Sequence, residues 1–103
     1  MTLLELLEAA EGGLADVGRS VGADGSTTWS GGAQPFAVLS ADGGAVEFSL
    51  DPAVATAAAK TPDTIASLRG AGWVLFRPVA LDAHGADRAN AWFASAHRRA
   101  SGR

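Results

Sequence analysis

The segment PFAVLSADGGAVEFSL, residues 35–50, decides the fold because it predicts a β-hairpin. Its first part, PFAVLS (Pro35–Ser40), is rich in β-forming residues, and the Asp42-Gly43 dipeptide that follows is a strong signal for a hairpin turn. In the second part, AVEFSL (Ala45–Leu50), apolar and polar side chains alternate. That alternation predicts a strand with one buried face and one face in water.

Helix signals stand on both sides of this hairpin. Upstream, Thr2 and Glu5 have the spacing of a capping box for the segment LLELLEAA, which a glycine pair ends. Glu8 and Glu11 are expected on the solvated side of that helix. Downstream, the Asp-Pro pair at 51–52 has the N-cap and first-turn chemistry of a second helix. Residues 61–63 are expected to end this helix and to cap a further turn that carries Ile65 and Leu68.

A further strand and a closing helix follow. WVLFR (Trp73–Arg77) is almost continuously apolar, which predicts a strand inside the sheet rather than at its edge. The last helix is expected from about Gly85 to Arg99, with one apolar face. The residues of that face are Ala89, Trp92, Phe93 and Ala96.

The glycine-rich segment Gly18–Gly32 has no clear period and is expected to be a mobile loop or irregular β-structure, with Thr27–Trp29 as a short strand inside it. With that strand in brackets, the order of elements is α-(β)-β-β-α-β-α. Residues 1–103 therefore predict a single α+β domain with a mostly antiparallel sheet and helices packed on it.

Composition limits the function classes. The chain has 48% hydrophobic and 18% charged residues, as expected of a globular protein, and it has no cysteine. Disulfides, thiolate metal sites and a cysteine nucleophile are therefore excluded. The leucines near the N-terminus are interrupted by glutamates, and no apolar run has the length of a membrane span. A cytoplasmic protein without a membrane partner or a cofactor is expected.

Asp82, His84, Asp87 and Arg88 lie close together just after the last strand. Two carboxylates and a histidine resemble a metal set, which would make the protein a metal-assisted enzyme. However, Asp82 stands where a helix N-cap belongs, and Asp87 and Arg88 fall in the first turns of that helix. The spacing matches no established metal motif, so capping is favoured, with no metal and no catalytic residue assigned.

Residues suited to a ligand or partner surface occur on several elements. They are Trp29, Trp73, Arg77, His84 and Arg88. Trp29 lies in the glycine-rich segment, and if it is exposed it lines a groove or an interface; packing over the hairpin is the favoured alternative. Trp73 is expected to pack in the core or at its rim.

The basic residues Arg98, Arg99 and Arg103 form a cluster at the C-terminus. Cations there complement the dipole of the last helix, which is the favoured explanation. The alternative is a nucleic-acid-binding surface made by these arginines and the hairpin tip. The net charge of −3 disfavours that alternative without excluding it.

From Pro35 onward, the order of features resembles the MmcQ/YjbR-like family of small bacterial proteins. The residues that carry the resemblance are PFAVLS, VEFSLDP, GWVLFRP and DRANAWFASAHRRA, and family members also begin with a leucine-rich helix like LLELLEAA. The resemblance implies a compact α+β domain, similar to frataxin-like and double-wing domains, which has prompted suggestions of DNA binding. It implies no reaction and no catalytic residues. The segment before the last strand, KTPDTIASLRGAG, is shorter than in the family.

Three functions follow as hypotheses. The first is a non-catalytic binding or interaction module that acts on a ligand, on a protein partner or as a homodimer. The second is a regulator that binds nucleic acid through the C-terminal arginines. The third is the metal-assisted enzyme, which requires Asp82, His84 and Asp87 to converge on one pocket.

Overall fold

Three helices and six strands occur within residues 1–102, which are the residues that this computed structural model describes. Their bounds are α1 (Leu3–Gly12), β1 (Val17–Val21), β2 (Thr27–Gly31), β3 (Gln34–Leu39), β4 (Val46–Ser49), α2 (Pro52–Ala58), β5 (Thr64–Ala66), β6 (Trp73–Phe76) and α3 (Ala83–Ala100). The strands form one antiparallel sheet in the order β1-β2-β3-β4-β6-β5. The α+β prediction is confirmed, and β6 lies inside the sheet as expected.

The local signals at the start of α1 act as predicted. The Thr2 hydroxyl accepts a hydrogen bond from the Glu5 amide at 3.1 Å, and the Glu5 carboxylate accepts one from the Thr2 amide at 2.8 Å. The hydrogen bond from the Thr2 backbone lowers the pKa of Glu5. The capping box is therefore complete, and its charged form is the bonded one.

The mobile-loop interpretation of Gly18–Gly32 is wrong, whereas the β-structure given as its alternative is confirmed, in a regular form. These residues form the β1–β2 hairpin, in which Val17 pairs with Gly31 and Val21 pairs with Thr27. The strand expected at Thr27–Trp29 is confirmed and extends to Gly31. The sequence conceals the hairpin because the side chains of β1 are largely exposed, so no apolar alternation marks it.

The segment after α2 also differs from expectation. Ile65 and Leu68 were candidates for a further helical turn, but residues 64–66 form the edge strand β5. Ile65 is 60% exposed, while the hydroxyl-bearing Thr64 is buried. The burial pattern is thus the reverse of what hydrophobicity predicts.

A β-bulge in β3 adds an aromatic side chain to the core. Trp29 pairs with Ala37 and Ser30 pairs with Pro35, which leaves Phe36 as the extra residue. Such a residue breaks the strict alternation of the strand and re-aims its side chain. Phe36 and Ala37 are both fully buried as a result.

The core lies between the sheet and the three helices, and α3 supplies the aromatic side chains on the helical side. Phe93 of α3 meets Trp29 and Phe36 edge to face, with ring centroids 5.7 and 5.1 Å apart. Trp92 meets Phe48 and Phe76 at 6.1 and 5.7 Å. This confirms that Trp92 and Phe93 dock the last helix on the sheet. No helix within residues 1–102 is both long and apolar enough to cross a membrane.

Candidate functional site

A cleft of about 290 Å³ lies where α3 begins. Three chain segments line it: the end of β6 with the residues after it, the turn before β5, and the first two turns of α3. The lining residues are Pro62, Asp63, Phe76, Pro78, Ala80, Asp82, His84, Gly85 and Arg88. Segments that are distant in sequence thus bring an aromatic ring, a histidine, an arginine and two carboxylates together.

The start of α3 is fixed by Asp82 and Gly85. Asp82 is the N-cap, and its carboxylate accepts a hydrogen bond from the Gly85 amide at 2.7 Å. A Cβ atom at Gly85 would lie 3.2 Å from this carboxylate and 3.4 Å from the ring of Phe76. Glycine therefore allows the first turn to pack closely on β6. The predicted capping role of Asp82 is confirmed.

Arg88 forms the most unusual part of the cleft. Its guanidinium carbon lies 5.5 Å from the centroid of the Phe76 ring, and its Nη2 donates a long hydrogen bond of 3.3 Å to the Pro62 carbonyl. Its Nε is buried and has no hydrogen-bond partner among residues 1–102. A buried donor without an acceptor typically costs about 1–3 kcal/mol. Arg88 also makes no ion pair within the part of the chain that the structure describes.

The metal hypothesis required Asp82, His84 and Asp87 to converge. Asp82 and the exposed His84 line the cleft, whereas Asp87 lines a neighbouring groove. No group of three or more His, Asp or Glu side chains suited to a metal ion occurs among the described residues. The three side chains are therefore spread around the helix start rather than directed into one pocket.

The neighbouring groove, of about 380 Å³, separates α2 from α3. Its surface is mostly apolar and includes Val54 and Ala57 of α2 and Ala91 and Trp92 of α3. Arg88 lines this groove as well as the cleft. The two cavities are therefore adjacent and share one charged side chain.

Trp29 does not belong to any surface site. Its side chain is completely buried, and its indole N–H donates a 2.8 Å hydrogen bond to the Glu11 carboxylate. The surface role considered for Trp29 is corrected accordingly, and the favoured packing role holds. Glu11 in turn lies 3.5 Å from Arg19, which also pairs with Glu8 at 3.0 Å. These glutamates were expected to be merely solvated, yet they tie α1 to β1 and β2.

Trp73 and Arg77 lie away from the cleft. Trp73 is partly buried, and the guanidinium of Arg69 stacks over it at 5.3 Å while pairing with Glu47 at 2.9 Å. Arg77 is exposed and reaches toward Gly44, in the turn between β3 and β4. Of the residues predicted for a ligand or partner surface, only His84 and Arg88 share a cavity.

The C-terminal arginines occupy the opposite end of α3. Arg98 and Arg99 are exposed in its last turn, and both line a shallow cavity that also contains Asp51. Arg103 lies outside the described residues. The turn between β3 and β4, which the nucleic-acid hypothesis also uses, carries Asp42 rather than a basic side chain. The nucleic-acid surface therefore stays a prediction that rests on the two described arginines.

Two carboxylates in hairpin turns have a lowered pKa. The hydroxyl and the amide of Ser26 lower the pKa of Asp24, and the hydroxyl of Ser40 together with the amide of Gly44 lowers that of Asp42. Both carboxylates are fully exposed. Turn formation lowers both pKa values, because each carboxylate accepts hydrogen bonds from groups of its own turn.

Sequence reasoning missed the part of the cleft that precedes β5. Pro62 and Asp63 were predicted to end α2 and to cap a further turn, yet Pro62 accepts the hydrogen bond from Arg88. Asp63 adopts a left-handed conformation with φ 62°, and its carbonyl accepts from the Arg77 amide. Aspartate tolerates this conformation better than most residues, but no sequence pattern predicts which surface it creates.

Comparison of the chain with protein-family models, with curated proteins and with solved structures gives no significant match. The resemblance to the MmcQ/YjbR-like family stays a prediction. The geometry of the cleft and its neighbouring groove is therefore the basis for assigning a function.

Proposed function

We propose that this protein is a non-catalytic binding module and that the cleft at the start of α3 is its ligand site. The observation that carries the proposal is the buried Nε of Arg88, which has no acceptor among residues 1–102. Buried polar groups in folded proteins are nearly always hydrogen-bonded, so an exception beside a cavity indicates a group kept for a ligand.

The lining of the cleft favours binding over catalysis. Asp82 is occupied by the helix cap, and the residues that form the cleft include no serine, threonine or lysine that could act as a nucleophile. His84 and Arg88 supply hydrogen-bond donors, and Phe76 supplies an aromatic surface. A mostly apolar site with a few directed polar groups is typical of small-ligand recognition.

Thermal unfolding with a panel of ligands tests the proposal. The panel contains divalent metals, nucleotides, small organic acids and duplex DNA. A ligand at 100 times its dissociation constant adds about 2.7 kcal/mol, which for a domain of this size raises Tm by roughly 10–20 °C. We expect a small molecule to produce the shift and Arg88→Gln to remove it, with Arg98→Gln as the matched control on the same helix.

The other hypotheses give different results in the same experiment. A shift with DNA that Arg98→Gln removes would favour the nucleic-acid alternative. A shift with a metal that His84→Ala removes would favour the metal-assisted enzyme. A small-molecule shift that survives Arg88→Gln would contradict the assignment of the cleft.

A further inference from the structure

The cleft and the α2–α3 groove share one wall. Arg88 lines both cavities, and so does the turn after α2, in which Thr61 faces the groove and Pro62 faces the cleft. The hydrogen bond from Arg88 Nη2 to the Pro62 carbonyl joins the two parts of this wall at 3.3 Å. A ligand bound by Arg88 can therefore extend from the cleft into the groove.

The guanidinium of Arg88 is suited to a carboxylate. Nε lacks an acceptor among the described residues, and adjacent N–H groups of an arginine match the two oxygens of a carboxylate. Because Nε is covered, the guanidinium has to turn before a ligand reaches it. Among the described residues, the long bond to Pro62 and the contact with Phe76 are the interactions that oppose that turn.

Nearby negative charges disfavour a ligand that carries more than one negative charge. Asp63 and Asp82 line the cleft, and Asp87 lines the groove. Like charges repel at short range, so a phosphate with two negative charges is disfavoured more strongly than a monoanion. The carboxylates thus select a monocarboxylate over a phosphate.

The groove determines the rest of the ligand. Val54 is 38% exposed there, beside Ala57, Ala91 and the edge of Trp92. We infer that the ligand is a small monocarboxylic acid with an apolar body, its carboxylate on Arg88 and its body in the α2–α3 groove. This inference rests on the proposed function and names the ligand class for that site.

Isothermal titration with straight-chain acids from acetate to octanoate tests this assignment. Each added CH₂ group that enters the groove should raise the affinity about threefold to fourfold, until the groove is filled. Alcohols of the same length should bind about tenfold more weakly or worse, because they lack the charge that Arg88 recognises. Equal binding of acids and alcohols would overturn the inference.

Two variants separate the charged and the apolar contacts. Arg88→Gln should weaken octanoate binding about tenfold or more. Ala57→Leu fills part of the groove and should remove the dependence on chain length, while Ala53→Leu is the matched control on an exposed α2 position outside the groove lining. Chain-length dependence that persists in Ala57→Leu would place the apolar body elsewhere and overturn the inference.

Peptides and an alkyl phosphate test whether the bound anion belongs to a small organic acid or to another class of molecule. Short peptides with a free C-terminal leucine should bind no better than the free acids, and hexyl phosphate should bind more weakly. Tighter binding of the peptides or of the phosphate would overturn the assignment to a small organic acid. If no acid binds but another small molecule binds through Arg88, this inference fails and the proposed function stands; if nothing binds at all, both fail.

Discussion

The two halves of α3 differ in how completely their side chains are packed and hydrogen-bonded. In the second half, Phe93 is fully buried between two aromatic rings, and His97 donates to the Ala15 carbonyl at 2.9 Å. In the first half, Arg88 has a buried Nε without a hydrogen-bond partner among residues 1–102, and its side chain lines two cavities. One end of this helix therefore secures the fold, whereas the other end contains the side chain on which the proposed ligand site depends.

The largest effect is expected at the packed half. Phe93→Ala removes the ring that contacts Trp29 and Phe36, and it leaves a cavity in the core. We expect a loss of about 3–5 kcal/mol in the free energy of unfolding, measured by urea denaturation. A loss below 1 kcal/mol would show that the second half of α3 is not the main anchor.

A smaller loss of stability is expected when a hydrogen-bond acceptor of a core residue is removed. Glu11→Ala leaves the buried indole N–H of Trp29 without its acceptor, which should cost about 1–3 kcal/mol. Glu8→Ala is the control, because it removes only an exposed ion pair with Arg19 and should cost less than about 1 kcal/mol. Equal losses in urea denaturation would show that the indole bond contributes nothing beyond the ion pairs.

Removal of the helix cap in the first half of α3 should cause a smaller loss of stability again. Asp82→Ala removes the cap on the Gly85 amide and should destabilise the protein by about 1 kcal/mol in thermal unfolding. Asp82→Asn keeps an oxygen acceptor at the cap and should recover most of that loss. Failure of asparagine to recover it would mean that the charge of Asp82, rather than the capping bond, stabilises this half.

Arg88 gives the sharpest contrast between the two halves. Arg88→Met keeps an apolar stem beside Phe76 and removes the unpaired N–H, so stability in urea should change by less than about 1 kcal/mol. Arg98→Met is the control at an exposed position in the packed half. If Arg88→Met lost more than 2 kcal/mol of stability, Arg88 would be a structural residue, and the two halves of α3 would not differ in this respect.

The smallest effect concerns a turn that belongs to neither half. The lowered pKa of Asp42 means that its carboxylate stabilises the folded chain above the ordinary value of 3.8. This contribution is lost as the pH falls through the lowered pKa. Thermal unfolding from pH 7 to pH 2 should therefore show Asp42→Asn as slightly less stable at neutral pH and equal to the wild type in acid. A gap that widens in acid would contradict the sign.

Local signals predicted the elements that depend on near neighbours in sequence. The capping box at Thr2 and Glu5, the Asp42-Gly43 turn and the cap at Asp82 each need only a few residues. β1 and β5 could not be predicted in the same way, because they lie at the two edges of the sheet. Edge strands bury few side chains, so their apolar pattern is weak or reversed, as at Ile65.

The candidate site was predicted only in part for a similar reason. His84 and Arg88 attract attention by residue type, and both line the cleft. Pro62 and Phe76 come from distant segments, and only the folded sheet brings them to Arg88. The favoured packing role of Trp29 holds, but its hydrogen-bond acceptor, Glu11, lies eighteen positions earlier and no local pattern identifies it.

The two edges of the sheet have a consequence for behaviour at high concentration. Exposed edge strands invite a second chain to add a strand, which leads to aggregation. Here β5 is only three residues long and follows Pro62, which has no N–H to donate. On the other edge, β1 contains Gly18 and Arg19, and the guanidinium of Arg19 forms ion pairs with Glu8 and Glu11 of α1. Both edges therefore oppose continuous pairing, and self-association through an extended sheet should be slow even in concentrated solution.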